Sequence, residues 1–95
     1  MMEPAMRKRL RAEGQALRPV AEVGKRGLDP AVVAEVDAQL KRATLVKVRV
    51  RPSAAEGRDG ADALAASLAQ AVGADVVERR GHTVLLFRRG HARGQ

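Results

Sequence analysis

Residues 83–88 read Thr-Val-Leu-Leu-Phe-Arg. A strand repeats every two residues, so Val84 and Leu86 point one way and Leu85 and Phe87 the other. Both faces are then apolar, and such a strand belongs in the middle of a sheet rather than at its rim. A sheet therefore has to be assembled around this segment, and the rest of the chain supplies it.

DVVER, residues 75–79, is a strand candidate just upstream, and Arg80, Gly81 and His82 form the short turn of a hairpin. LVKVRVR, 45–51, alternates, with Val46, Val48 and Val50 on one face and Lys47, Arg49 and Arg51 on the other. PVAEV, 19–23, is a fourth candidate. Its Pro19 has no N–H for a ladder and suits a strand start or an edge.

Three helices separate these strands. Residues 4–17 open on Pro4, which suits a first turn. Met6, Leu10 and Leu17 share one side with Gly14 between them, and Arg7, Lys8, Arg9 and Arg11 decorate the rest. The clearest helix starts at Asp29-Pro30, an N-cap followed by proline at the first helical position. Val32, Val33, Val36 and Leu40 form its apolar stripe, Lys41 and Arg42 sit in its last turn, and Glu35 and Asp37 are expected to face water. PSAAEGRDG, 52–60, reads as a loop. An alanine-rich helix over 61–72 follows, with Leu64, Leu68 and Val72 at helical spacing and Gly73 as its stop.

The order is α-β-α-β-α-β-β. The segment between the first two strands contains a helix and is long enough for a parallel crossover. The expected fold is α/β, a two-layer sandwich around a four-stranded mixed sheet. One domain is expected over 1–95, with an ordered core at about 4–89 and a flexible tail at 90–95.

Charge narrows the partner. Lys and Arg number 18 against 11 Asp and Glu, a net charge of +7, which favours polyanions and above all nucleic acid. The N-terminal MMEPAMRKRL has no apolar run behind its charges, as a signal peptide would need. The longest uncharged stretch, 63–74, falls short of the ~20 residues of a membrane span. No membrane association is expected, and the chain reads as soluble, cytoplasmic and monomeric. With no cysteine, disulfides and thiolate metal sites are excluded.

Gly24-Lys25-Arg26-Gly27 is the motif to weigh. Gly-x-x-Gly alone says little, because nine glycines in such a chain give roughly one chance match, and Gly57-Arg58-Asp59-Gly60 matches too. Position separates them. GKRG joins a strand end to a helix start, where glycines let a ligand approach the backbone, the helix terminus favours anions, and Lys25 and Arg26 add two charges. The plain alternative is a βα turn whose charges sit in water, and Asp29 counts against anion binding if its carboxylate caps the helix. GRDG, in which Asp59 offsets Arg58, reads as a surface loop. No third glycine at dinucleotide-binding spacing and no Gly-Lys-Ser/Thr is present.

No catalytic constellation appears, and no cofactor or metal is implied. His82 in a turn and His91 in the tail lack metal-site spacing. Ser53 and Ser67 have no Ser-His-Asp context in sequence. Phe87 is the one aromatic residue, and the core claims it, so recognition by base stacking is disfavoured and contacts to phosphate and 2′-OH are favoured. The basic residues fall into three sets: the first helix, the loop with Arg18 just before the first strand, and the strand set Lys47, Arg49 and Arg51. A solvated face is the ordinary reading of each, most of all for the strand set, where alternation alone explains it.

LRPVAEVGKRGLDPAVVAEVDAQLKRATLVKVRV, residues 17–50, together with RRGHTVLLFRR, 79–89, and KRLRAEGQALRP near the start, resembles the CRM-domain family, and within it the stand-alone bacterial YhbY-like proteins. The resemblance covers about residues 6–89. It implies an RNA-binding module with a fold similar to the C-terminal domain of initiation factor three, associated with precursors of the large ribosomal subunit. It also implies an RNA contact at the glycine-bracketed loop, similar to that of KH domains, on Gly24, Lys25, Arg26 and Gly27. Charge extends the expected RNA-binding set to Arg18, Arg7, Lys8 and Arg11. Three positions depart from the family pattern: Asp29 replaces Thr or Ser, Thr44 stands where an acidic residue is common, and Phe87 replaces Tyr. Two other readings fit the charge, a DNA-binding or nucleoid protein and a basic protein-interaction module.

Overall fold

The computed structural model describes residues 2–90; His91 and the rest of the tail expected to be flexible lie outside them. The elements are α1 (Pro4–Gly14), β1 (Pro19–Val23), α2 (Pro30–Arg42), β2 (Leu45–Val50), a 3-10 turn (Pro52–Ala54), α3 (Gly57–Val72), β3 (Asp75–Arg80) and β4 (Thr83–Phe87). The sheet order is β1-β2-β4-β3, with β1 parallel to β2 and the other pairs antiparallel. The doubly apolar strand β4 is thus internal, as its composition requires, and the four-stranded mixed sheet is the expected one.

The two faces of β4 explain the layering. Val84 and Leu86 join Val23, Val36, Leu40, Val46, Val48, Val50, Leu68 and Val72 in the main core, between the sheet and the helices α2 and α3. Leu85 joins Leu10 and Val77 in a smaller cluster on the opposite face, packed by Met6, Leu17 and Phe87. So α1 lies across the back of the two-layer sandwich, over β2, β4 and β3. Phe87 packs into this back cluster, as expected of the one aromatic residue. Gly14 permits the close approach of α1: a Cβ there would come within 2.8 Å of Leu85 Cδ1. A glycine that weakens the helix by propensity is what seats it on the sheet.

Three strand ends shift by one residue, β2 stopping at Val50, β3 running on through Arg80 and β4 stopping at Phe87, and two helix boundaries differ from expectation. The first helix stops at Gly14 rather than residue 17, its end tightened by i→i+3 bonds from Ala16 N–H to Glu13 O and Leu17 N–H to Gly14 O. Pro19 forces the preceding residue out of helical geometry, so the chain must already be unwinding. Helix α3 begins at Gly57 rather than 61, so GRDG is its first turn and not a loop; Gly60 N–H bonds to Glu56 O at 3.2 Å. Asp59 sits in that turn, where a carboxylate complements the helix dipole, and this offsets the two glycines.

A bulge shapes β3. Val76 pairs with Leu86 but Glu78, not Val77, pairs with Leu85. The extra residue turns Glu78 toward α1, where it lies 3.8 Å from Arg11, and sends Arg79 to the α3 side, where it bonds Asp62. Arg7 reaches the bulge itself, donating from Nη1 to Val76 O at 2.9 Å and Val77 O at 2.5 Å.

Candidate nucleic-acid interface

In a parallel pair, both strands end at the same side of the sheet. Val23 is level with Val50, so the GKRG segment leaves β1 beside the exit of β2. The first turns of α2 and α3 follow those two strands. The β3–β4 turn reaches the same rim, where Val50 N–H donates to His82 O at 2.7 Å. Ligands of open α/β sheets bind at such carboxyl ends.

GKRG is a β-turn closed by a bond from Gly27 N–H to Gly24 O at 2.8 Å, with Lys25 and Arg26 at its two central positions. Both are exposed. Among the described residues, the N–H groups of Lys25, Arg26 and Leu28 make no hydrogen bond. Leu28, packed against the main core, anchors the far side of the turn. It precedes the cap Asp29 and lies five residues before Val33, the spacing of a hydrophobic staple.

The two glycines answer to different demands. Gly27 has φ +70°, a left-handed backbone that a side chain strains. Gly24 has no positive φ, and a Cβ on it would meet only Arg51 Cδ at 3.8 Å, an ordinary contact. The fold therefore has no need of glycine at 24. Gly27→Ala should lower stability by about 1 kcal/mol, whereas Gly24→Ala should leave the thermal midpoint unchanged. Melting curves of the two variants check this.

Asp29 does cap α2. Its Oδ1 accepts from Val32 N–H at 2.9 Å, while Oδ2 lies 3.9 Å from Arg26 Nη1. The Arg26 side chain is 88% exposed, so this contact holds it only weakly. Pro30 has no N–H and Val33 N–H bonds to Asp29 O at 3.1 Å, which leaves the α2 terminus little to offer an anion. The turn presents the unbonded N–H groups and two exposed cations that the helix terminus lacks. Asp29→Asn keeps a good N-cap and removes the negative charge; RNA should bind it about twofold more tightly, as a filter-binding titration would record.

The remaining predicted residues do not gather here. Arg7 is half-buried and spends Nη1 on the bulge carbonyls. Those carbonyls are level with Val46, four residues of β2 from the loop and across three strand spacings, about 13 Å along and about 14 Å across. Arg11 faces Glu78, Arg9 lies 3.9 Å from Glu13, and Lys8 is exposed on α1. Arg18 is exposed ahead of Pro19, which pairs with Lys47 in mid-strand, and lines a shallow groove beside Arg49. The strand set does better. Arg51 N–H donates to Val23 O at 2.9 Å, and its side chain lies against Gly24. Its salt bridge to Glu22, at 3.7 Å, is solvent-exposed, as is that of Arg49 to the same carboxylate at 3.4 Å.

Asp37 does not simply face water. Arg88 Nη1 donates to its Oδ1 at 2.7 Å and to Val72 O at 2.8 Å. That bond holds the Asp37 carboxyl below its ordinary value, with Lys41 adding to the effect and desolvation opposing it. Among the described residues there is no group of three metal-binding side chains, and no helix long and apolar enough to cross a membrane.

The CRS1/YhbY (CRM) domain model matches residues 2–88, nearly the whole of the described chain. The chain belongs to the CRM domain family. A Methanocaldococcus jannaschii protein named as a probable RNA-binding protein is 45% identical over 83 residues, 87% of this chain. That match covers 60% of the archaeal protein, so this CRM chain spans about three-fifths of its relative's length. The solution structure of a hypothetical Staphylococcus aureus protein, proposed to bind RNA, superposes with a TM-score of 0.84 over 98% of this chain and 94% of the other. At 22% identity that likeness speaks to the fold, and the CRM domain here has the same one.

Proposed function

We propose that this CRM domain is a non-catalytic RNA-binding module, acting as a monomer in the cytoplasm on ribosomal RNA in precursors of the large subunit. The observation that carries the reading is the turn at the carboxyl end of β1. It offers unbonded N–H groups, two exposed cations, and a glycine at 24 that the fold does not require. A side chain at 24 is excluded most simply by something that must approach the backbone, and phosphate oxygens accept from both kinds of donor present. The names of relatives, the family and the net charge of +7 support RNA as the partner. Gly24, Lys25, Arg26 and Gly27 form the proposed contact, with Arg51 beside them. Arg18, Lys8 and Arg11 are outlying contributors, and Arg7 serves the bulge.

Binding to large-subunit RNA fragments across a salt series tests this. Log K should fall linearly with log salt, by about 0.7 per phosphate contacted on single strands and about 0.9 on duplex. A flat line would remove phosphate contact as the basis of binding. Tighter binding to competing duplex DNA would favour the nucleoid reading instead.

A further inference from the structure

A cavity of about 430 Å³ opens beside the turn, between the end of β2, the first turn of α3 and the β3–β4 turn. Its apolar lining includes Val50, which is 2% exposed, and the half-buried Ala55 and Ala61. Its polar lining includes the exposed Arg51, Arg58 and His82, with Glu56 as the one carboxylate among the described residues. Arg79 also borders it, but its Nε is engaged by Asp62 and its Nη1 by Gly81 O. Arg51 lines the cavity and also touches the place of the missing Gly24 side chain, so the cavity and the turn form one continuous surface.

We propose that this cavity receives one unstacked nucleotide of the same RNA strand whose phosphates the GKRG turn holds; the inference rests on that reading of the turn. Three features select a nucleotide over a bare anion. The volume is that of a small-ligand site. The apolar lining matches a base face, and bare phosphate would gain nothing from it. Arg58, Arg51 and His82 supply donors to a phosphate, a 2′-OH or a base edge. The chain has no aromatic platform on this rim, since Phe87 packs against α1 on the back of the sheet. The apolar wall of this open cleft, with an arginine or imidazole plane against the base, provides what an open aromatic face would otherwise supply.

The test combines three variants and one RNA probe with two small-molecule titrations of the wild-type protein. A single-stranded RNA 12-mer is titrated against the wild-type chain, Ala61→Leu, which fills the cavity without changing charge, the double variant Arg58→Ala/His82→Ala, and Lys25→Ala/Arg26→Ala. Far-ultraviolet circular dichroism confirms that each is folded. Adenosine monophosphate and inorganic phosphate are titrated separately against ¹⁵N-labelled wild-type protein. The expected result is about tenfold weaker RNA binding in both cavity variants, with adenosine monophosphate shifting the amides of Gly57, Arg58, Gly81 and His82 more than phosphate does. Wild-type affinity in Ala61→Leu and the Arg58/His82 variant, beside a loss in the Lys25/Arg26 variant, would overturn the cavity and leave the turn standing. Loss in the cavity variants with none in the Lys25/Arg26 variant would overturn the turn as phosphate holder. Equal shifts from phosphate and adenosine monophosphate would reduce the cavity to an anion site and overturn the nucleotide assignment.

Discussion

Lys25→Ala/Arg26→Ala is expected to lower affinity for RNA about 30-fold near 0.1 M salt, through the loss of two released counterions. The salt slope should fall with it, by about 1.5. Stability should not change. Both side chains are exposed, neither packs on the core, and Arg26's contact with Asp29 is solvent-screened. Affinity for unrelated RNAs should drop by a similar factor, because phosphate contacts position the strand without reading its sequence. Affinity and slope measured together separate this from a general fall in charge. If affinity fell with an unchanged slope, the two cations would not be touching phosphate.

Arg88→Ala is expected to produce the largest loss of stability among side chains outside the apolar core. One guanidinium, only 16% exposed, joins three elements: it follows β4, donates to Val72 O at the end of α3, and bonds both the carboxylate and the carbonyl oxygen of Asp37 on α2. Removing it leaves the partly buried Val72 carbonyl at the end of α3 without its donor, while Asp37 O keeps its partner within α2; the expected loss is about 2 kcal/mol, or a midpoint lower by about 10 °C for a domain of this size. The carboxylate's share is smaller, since Asp37 is 39% exposed. Its sign is nevertheless definite. A carboxyl held below its ordinary 3.8 contributes stability above that pH and loses it as pH falls through the lowered folded value. Thermal melts between pH 5 and pH 2 should show that acid-side loss in the wild-type chain and less of it in Arg88→Ala.

Much of the fold was legible where local rules agree with tertiary packing. The Asp29-Pro30 pair marks the start of α2, and the observed cap bond to Val32 N–H is the one that pair implies. Alternation marks β2, and the two-sided apolarity of β4 places it internally. Failures came where a residue's reason lies in a distant partner. Gly14 looks like a helix defect until Leu85 is opposite it. Arg7 looks like a solvent-facing cation until the β3 bulge presents two carbonyls, and a bulge leaves no trace in the alternation of so short a strand. Gly57-Arg58-Asp59-Gly60 lacks any apolar periodicity, so its helical state was hidden, and Arg58 with it. His82 was visible as a turn residue, but its neighbours came from β2 and α3 and could not be inferred from spacing.

The place of β1 at the rim of the sheet sets the order in which the molecule opens. It is five residues long, begins with a proline, is interrupted by a register shift at Val20, and pairs with one neighbour only, in parallel. The β3–β4 hairpin, by contrast, closes over a two-residue turn and needs no long-range partner to form. The amides that join β4 to β2 and β3 should exchange with solvent only on global unfolding, whereas β1 should detach more readily and carry the glycine turn with it. A strand of RNA gripping that turn would bind only the docked form, so occupancy should slow exchange along the whole of β1, well beyond the residues touched.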